Sequence, residues 1–200
     1  MCYLPAYGPL HRTTKFQAEP NTKKLIQKGL REYLLCQECE GKFSKWEYAF
    51  KQFWYGSPAL PQIIPDDYLV VKGFDYRLFK LFHLSILWRA SVATSQDFNT
   101  VALGAEEDKI RKLLEAEDPG SEDHYPMIGQ ILLTDQREVA YGLVGKPQQS
   151  EFDGRQAYYA SYAGVEWTLI VTTDPSPPAI QQLLPMTMKA KGEMFLAAVP

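Results

Sequence analysis

Between Asp75 and Thr94 the chain offers a helix with no polar side. Leu78, Phe79, Leu81, Phe82, Leu84, Ile86, Leu87 and Trp88 cover nearly its whole circumference. A helix that is apolar all round must be enclosed by other elements. Two hundred residues are enough to build such an enclosure around one main core. Lys80, His83 and Arg89 interrupt the stretch, so it makes a poor membrane span. The segment is therefore expected to be the most buried helix of a globular body.

The remaining pattern says what encloses it. Phe43, Trp46, Phe50, Phe53 and Trp54 recur at helical spacing and form one buried stripe, which Gly56-Ser57-Pro58 ends. A short strand is predicted at Tyr68–Lys72, and a helix at Ala105–Glu117 with Ile110, Leu113 and Leu114 inward. After His124 the period changes to two. Met127–Leu133, Val139–Val144, Ala157–Tyr162, Val165–Thr172 and Met194–Val199 read as strands, with a hairpin turn at Ala163-Gly164. Helices followed by an antiparallel sheet make an α+β fold rather than a βαβ one, with the sheet drawn almost wholly from residues beyond 124. The first twenty residues, with Pro5, Pro9 and Pro20, read as irregular chain with a short strand at Thr14–Gln17.

Charge and cysteine content narrow the partner classes. The net charge is -3, so the whole chain is no polycation, yet it is unevenly spread. Residues 11–51 hold nine Lys or Arg against five Asp or Glu (+4), and the remainder holds twelve against nineteen (-7). Such a basic quarter suits either an anionic partner or an ordinary solvated surface. Three cysteines are too few for a disulfide scaffold. With no basic-then-apolar leader pattern, the expected compartment is the cytoplasm, with no membrane partner.

Cys36 and Cys39, in LLCQECE, carry the most chemical information. A C-x-x-C just before a helix turns two sulfurs to one side and supplies half of a tetrahedral zinc site. Gln37-Glu38 brings no cation and no βαβ pattern surrounds the pair, which argues against a thioredoxin-like redox use. Two small, partly buried thiols are the plain structural alternative. Lys23, Lys24, Lys28 and Arg31 lie beside the pair as candidate phosphate contacts.

The run KGLREYLLCQECEGKFSKWEYAF, Lys28 to Phe50, resembles the second half of a treble-clef zinc module in bacterial proteins related to HNH endonucleases. Met1–Arg12 resembles the segment that follows the family's first C-x-x-C and its Ser-His motif, and DYRLFKLFHLSILWRAS continues the likeness more loosely. The resemblance implies a treble-clef-like remnant at 1–56 on an α+β body at 57–200. It implies zinc as cofactor, a divalent metal in catalytic members, and nucleic acid as partner. The first C-x-x-C and the Ser-His motif have no counterpart in this sequence. The metal set is thus limited to Cys36 and Cys39, the catalytic residues are unassigned, and the natural gene is expected to extend upstream of Met1. Cys2 and His11 would complete four ligands, although neither holds a family ligand position.

Other candidates read as structural first. His83 fits a hydrogen-bonded core histidine. His124 sits in an acidic loop with Glu122 and Asp123 and suits either a base or plain solvent exposure. Glu106, Glu107, Asp108, Glu115 and Glu117 look like the solvated face of a helix. No phosphate-binding glycine loop, H-E-x-x-H or G-x-S-x-G occurs. Two functions remain: an HNH-nuclease-like protein acting on or binding nucleic acid, catalytically incomplete in this chain, or a non-catalytic module that binds a protein partner through its sheet.

Overall fold

A computed structural model of the chain describes residues 13–15, 24–26, 34–56, 60–61, 64, 66–94, 98–171 and 178–199. The helices are α1 (Gln37–Gly56), α2 (Tyr76–Val92), α3 (Ala105–Ala116) and the short α4 (Pro178–Leu183). The strands are β1 (Thr13–Lys15), β2 (Lys24–Ile26), β3 (Tyr68–Lys72), β4 (Met127–Leu132), β5 (Gln148–Phe152), β6 (Arg155–Tyr162), β7 (Val165–Ile170) and β8 (Glu193–Val199). The architecture is α+β: helices come first, and a mainly antiparallel six-stranded sheet follows in the order β3-β8-β4-β7-β6-β5.

The all-apolar helix is central, as its sequence demands. Asp75 caps it by accepting the Leu78 N–H at 3.0 Å, and nearly every residue from Phe79 to Ala90 is buried. The aromatic stripe of α1 packs on it, with Phe50 stacked on Phe82 at 4.2 Å between ring centroids. Both helices lie on one face of the sheet, where Trp167 meets Trp54 at 5.3 Å and His83 at 4.5 Å. Arg89, almost fully buried, crosses from α2 to Glu47 of α1 at 2.8 Å. Helix α1 thus shares its core with the body.

Turn chemistry sets the hairpin of β6 and β7. Ala163 and Gly164 have φ of +58° and +77°, the two positive values of a type I′ turn. Their strands close at Tyr162↔Val165 and run in register to Ala157↔Ile170.

The structure departs from the sequence expectation in five places. β3, far upstream of residue 124, joins the sheet as an edge strand paired with β8. β8 then runs parallel to β4, a pairing of chain segments more than sixty residues apart. Val139–Val144 is not a strand: Val139 makes one bridge to Leu133, and the chain then turns, with Leu143 N–H donating to the Ala140 carbonyl. The second edge strand is instead β5, whose QQSEF sequence is polar and largely exposed. The strand expected at Thr14–Gln17 is seen over Thr13–Lys15, paired with Lys24–Ile26, and Gln17 lies outside the described residues. Among the described residues no helix is long and apolar enough to cross a membrane.

Candidate functional site

The Cys36–Cys39 pair sits at the front of α1. The Cys36 carbonyl accepts the Glu40 N–H at 2.9 Å, which makes it the residue that opens the helix. Cys39 lies one turn along, so both sulfurs fall on one side. Cys36 is exposed and Cys39 half-buried. Hydrogen bonding from the Cys39 backbone N–H and thiol lowers the pKa of the Cys36 thiol below its ordinary value, against desolvation and the nearby Glu38 charge. The Cys39 thiol, its proton engaged by Cys36 and its sulfur partly desolvated, is pushed up.

Two adjacent sulfurs fit half of a zinc ligand set. Among the described residues no group of three or more His, Cys, Asp or Glu stands together to hold a metal. Cys2, His11, Lys23, Lys28 and Arg31 lie outside the described residues, and Lys24 is placed only as backbone, paired with Lys15.

A second group of polar atoms lies deep in the core. His83 Nδ1 and the Tyr162 hydroxyl share a short hydrogen bond, and both side chains are buried. Burial holds the imidazole well below its ordinary value and the phenol well above its own, so both are neutral. With the Tyr162 O–H donating to Nδ1, the imidazole proton sits on Nε2, which has no partner among the described residues. His83, Tyr162, Tyr158 and Trp167 help line a cavity of about 30 Å³. That is room for a water molecule and no substrate.

A third group ties α2 to the acidic loop. Lys80 Nζ donates to Tyr76 Oη at 2.9 Å, to the Ser121 carbonyl at 2.7 Å and to the His124 carbonyl. Burial pulls its ammonium down to about 7, against the raising effect of Asp123, Glu122 and Asp118. Glu122 accepts from Lys189 Nζ and the Ala190 N–H, and Asp123 from Ser121. The loop carrying His124 is therefore clamped by Lys80 of α2, by Lys189 and Ala190, and by its own Ser121–Asp123 bond.

The acidic face of α3 is only partly solvated. Asp108 and Glu115 hold Arg111, as a solvated face would. Glu106 instead accepts the Tyr125 hydroxyl at 2.6 Å, Glu107 accepts from Ser91, and Glu117 caps the helix in a left-handed conformation. The sequence hinted at Lys80 and His83 as polar residues in an apolar helix. Nothing local announced Tyr162, whose partner lies 79 positions away. Comparisons with family models, with curated proteins and with solved structures gave no match for this chain.

Proposed function

We propose that the chain is a catalytically incomplete, HNH-nuclease-like protein that binds nucleic acid, with Cys36 and Cys39 forming half of a zinc knuckle. The observation that carries this reading is the pair: two free thiols three residues apart, one of them exposed, at the first turn of α1. They follow directly on the segment that holds Lys23, Lys24, Lys28 and Arg31. Zinc takes four ligands, so two more must come from outside the described residues or from another chain. The buried groups favour the non-catalytic half of the proposal. His83 is enclosed, and Lys80 is committed to three oxygens, so neither presents itself to a phosphate.

The test is titration with duplex DNA and with RNA at several salt concentrations. Affinity should fall steeply with salt, and replacing Lys23, Lys24, Lys28 and Arg31 with Gln should reduce the log–log slope by about 3 to 4. No binding at low salt, or an unchanged slope in the fourfold variant, would sink the proposal. Metal analysis adds a second readout, since two thiolates alone hold zinc loosely whereas a four-ligand set holds it tightly.

One observation supports a protein-binding reading instead. Tyr68 and Val70 of the edge strand β3 are exposed, and Tyr68 stacks on Phe195 at 5.1 Å on the outer sheet face. A stable protein partner lost on Tyr68→Ser, with no affinity for nucleic acid, would favour it.

A further inference from the structure

The six-stranded sheet ends on β3, and among the described residues nothing pairs with the outer side of that strand. The bonds to β8 decide which of its backbone groups are left over. The Asp67 carbonyl accepts the Ala198 N–H at 2.8 Å, and the Gly73 N–H donates to the Gly192 carbonyl at 2.9 Å. In an antiparallel ladder every second residue faces its neighbour, so the odd-numbered residues of β3 bond to β8. The N–H and C=O groups of Tyr68, Val70 and Lys72 therefore point away from the sheet, as a set symmetric about Val70. Their side chains are exposed, whereas Leu69 is half-buried and Val71 buried. No proline and no bulge interrupts the five paired residues of this edge. The opposite edge, β5, is guarded by the exposed polar residues Gln149, Ser150 and Glu151.

We propose that β3 is a self-pairing edge: its partner is β3 of a second copy of this chain, running antiparallel about a two-fold axis at Val70. This goes beyond the nucleic-acid reading, and it names a partner for the exposed strand on which the protein-binding reading rests. In this register Tyr68 faces the partner's Lys72, and Val70 faces the partner's Val70. All of these are hydrogen-bonded positions, so every left-over N–H and C=O of the strand finds a mate. Between them Leu69 meets the partner's Val71. On the outer face β8 extends each row, because Phe195 lies beside Val70, Glu193 beside Lys72 and Ala197 beside Tyr68. The central row is therefore an unbroken apolar strip across the join, Phe195 and Val70 followed by the same two from the second copy. A lysine on an edge strand ordinarily blunts pairing. This register keeps the two Lys72 side chains apart and lays each ammonium beside a tyrosine ring. Glu193 stays behind it, with Lys72 Nζ and Glu193 Oε1 3.6 Å apart. Sliding by two residues would set Lys72 or Tyr68 against the partner's Val70 and leave edge groups unpaired. A join of five residues is small beside the ~1,200–2,000 Å² of a stable interface, so a dissociation constant on the order of 10 μM is expected.

The test is sedimentation velocity on the full chain, from well below to well above that concentration. Wild type should pass from monomer to dimer. Val70→Lys and Val70→Glu each place like charges across the axis, and each should weaken association on the order of tenfold or more. Mixing these two variants sets opposite charges across the axis and should restore the dimer. Leu143→Lys changes a comparably exposed apolar residue outside β3, 46% against 43% for Val70, and should leave association unchanged. Circular dichroism of each variant checks that the fold is kept. In wild type, amide exchange at Tyr68, Val70 and Lys72 should slow as the dimer forms, a readout that needs no variant. A chain that stays monomeric throughout, a dimer indifferent to Val70→Lys, or no gain on mixing the two charged variants would overturn the proposal. A foreign protein lost on Tyr68→Ser, bound by a chain that never self-associates, would overturn it too while keeping the protein-binding reading.

Discussion

The Trp54 indole N–H donates to the Ala163 carbonyl at 3.0 Å, joining α1 to the turn of the β6–β7 hairpin across 109 residues. Both residues are buried, so water does not replace this bond when it is lost. Trp46, about two turns earlier on the same stripe of α1, is as buried, yet its indole N–H has no partner among the described residues. The same change at the two sites should then have different outcomes. Trp54→Phe leaves a buried carbonyl unsatisfied, whereas Trp46→Phe removes a buried unsatisfied donor. Trp54→Phe should be the more damaging by about 1–2 kcal/mol in urea unfolding. Equal losses, or the reverse order, would refute the hydrogen-bond account.

The acid limb of stability should carry the signature of His83. Its folded-state value lies well below the ordinary one because the ring is desolvated. The unfolded state therefore takes up a proton near pH 6.5 that the folded state refuses. The contribution of His83 is fully present above about pH 6.5 and is lost as the pH falls, with a slope approaching 1.4 kcal/mol per pH unit. His83→Gln cannot be protonated and should flatten that slope by about one proton. An acid limb of the same steepness in the variant would exclude His83 as its source.

Lys80 predicts a trend in the opposite range. Its folded value is about 7, against 10.5 for the free side chain, so between these the unfolded state holds the extra proton. Stability from this group rises as the pH goes from about 7 toward 10. Lys80→Met removes both the titration and the hydrogen bonds to Ser121 and His124. The gap between wild type and variant should therefore widen over that interval, measured by unfolding at successive pH values. A constant or narrowing gap would contradict the depressed value.

Gly192 approaches Phe74 more closely than any side chain allows. A Cβ there would lie 2.2 Å from the Phe74 carbonyl oxygen, at a φ of +76°. The same junction holds the Gly73 N–H to Gly192 carbonyl bond at 2.9 Å, which joins the end of β3 to the start of β8. Gly192→Ala should cost about 2–4 kcal/mol. Gly142→Ala, where a Cβ meets nothing within 4 Å, should stay within about 0.5 kcal/mol of wild type. A tolerated Gly192→Ala would mean that the β3–β8 junction is placed differently.

Much of the chain was legible because its signals are local. The circumference of Leu78–Trp88, the stripe from Phe43 to Trp54 and the positive-φ pair Ala163-Gly164 each specify an element within a few residues. β5 was missed because an exposed edge strand needs no apolar alternation, and QQSEF has none. Val139–Val144 misled for the opposite reason: its apolar residues are alternately spaced, but they serve single contacts, such as the Tyr141 hydroxyl on the Leu60 carbonyl at 3.1 Å. The Cys36–Cys39 pair was visible as a motif, whereas the inequality of its two sulfurs depends on where the helix begins.

By itself, then, the sequence determined the class, the buried helix, the hairpin and the position of the cysteine pair, since periodicity and turn residues act over one or two turns of chain. Only the tertiary structure decided that β3 and β8 close the sheet, that His83 meets Tyr162 and that Lys80 is caged by the loop at Ser121 to His124. Each of those pairings joins residues separated by 41 positions or more. No local pattern encodes such a meeting; it follows from which apolar faces can be buried together, and the buried polar groups then take the partners that this packing leaves beside them.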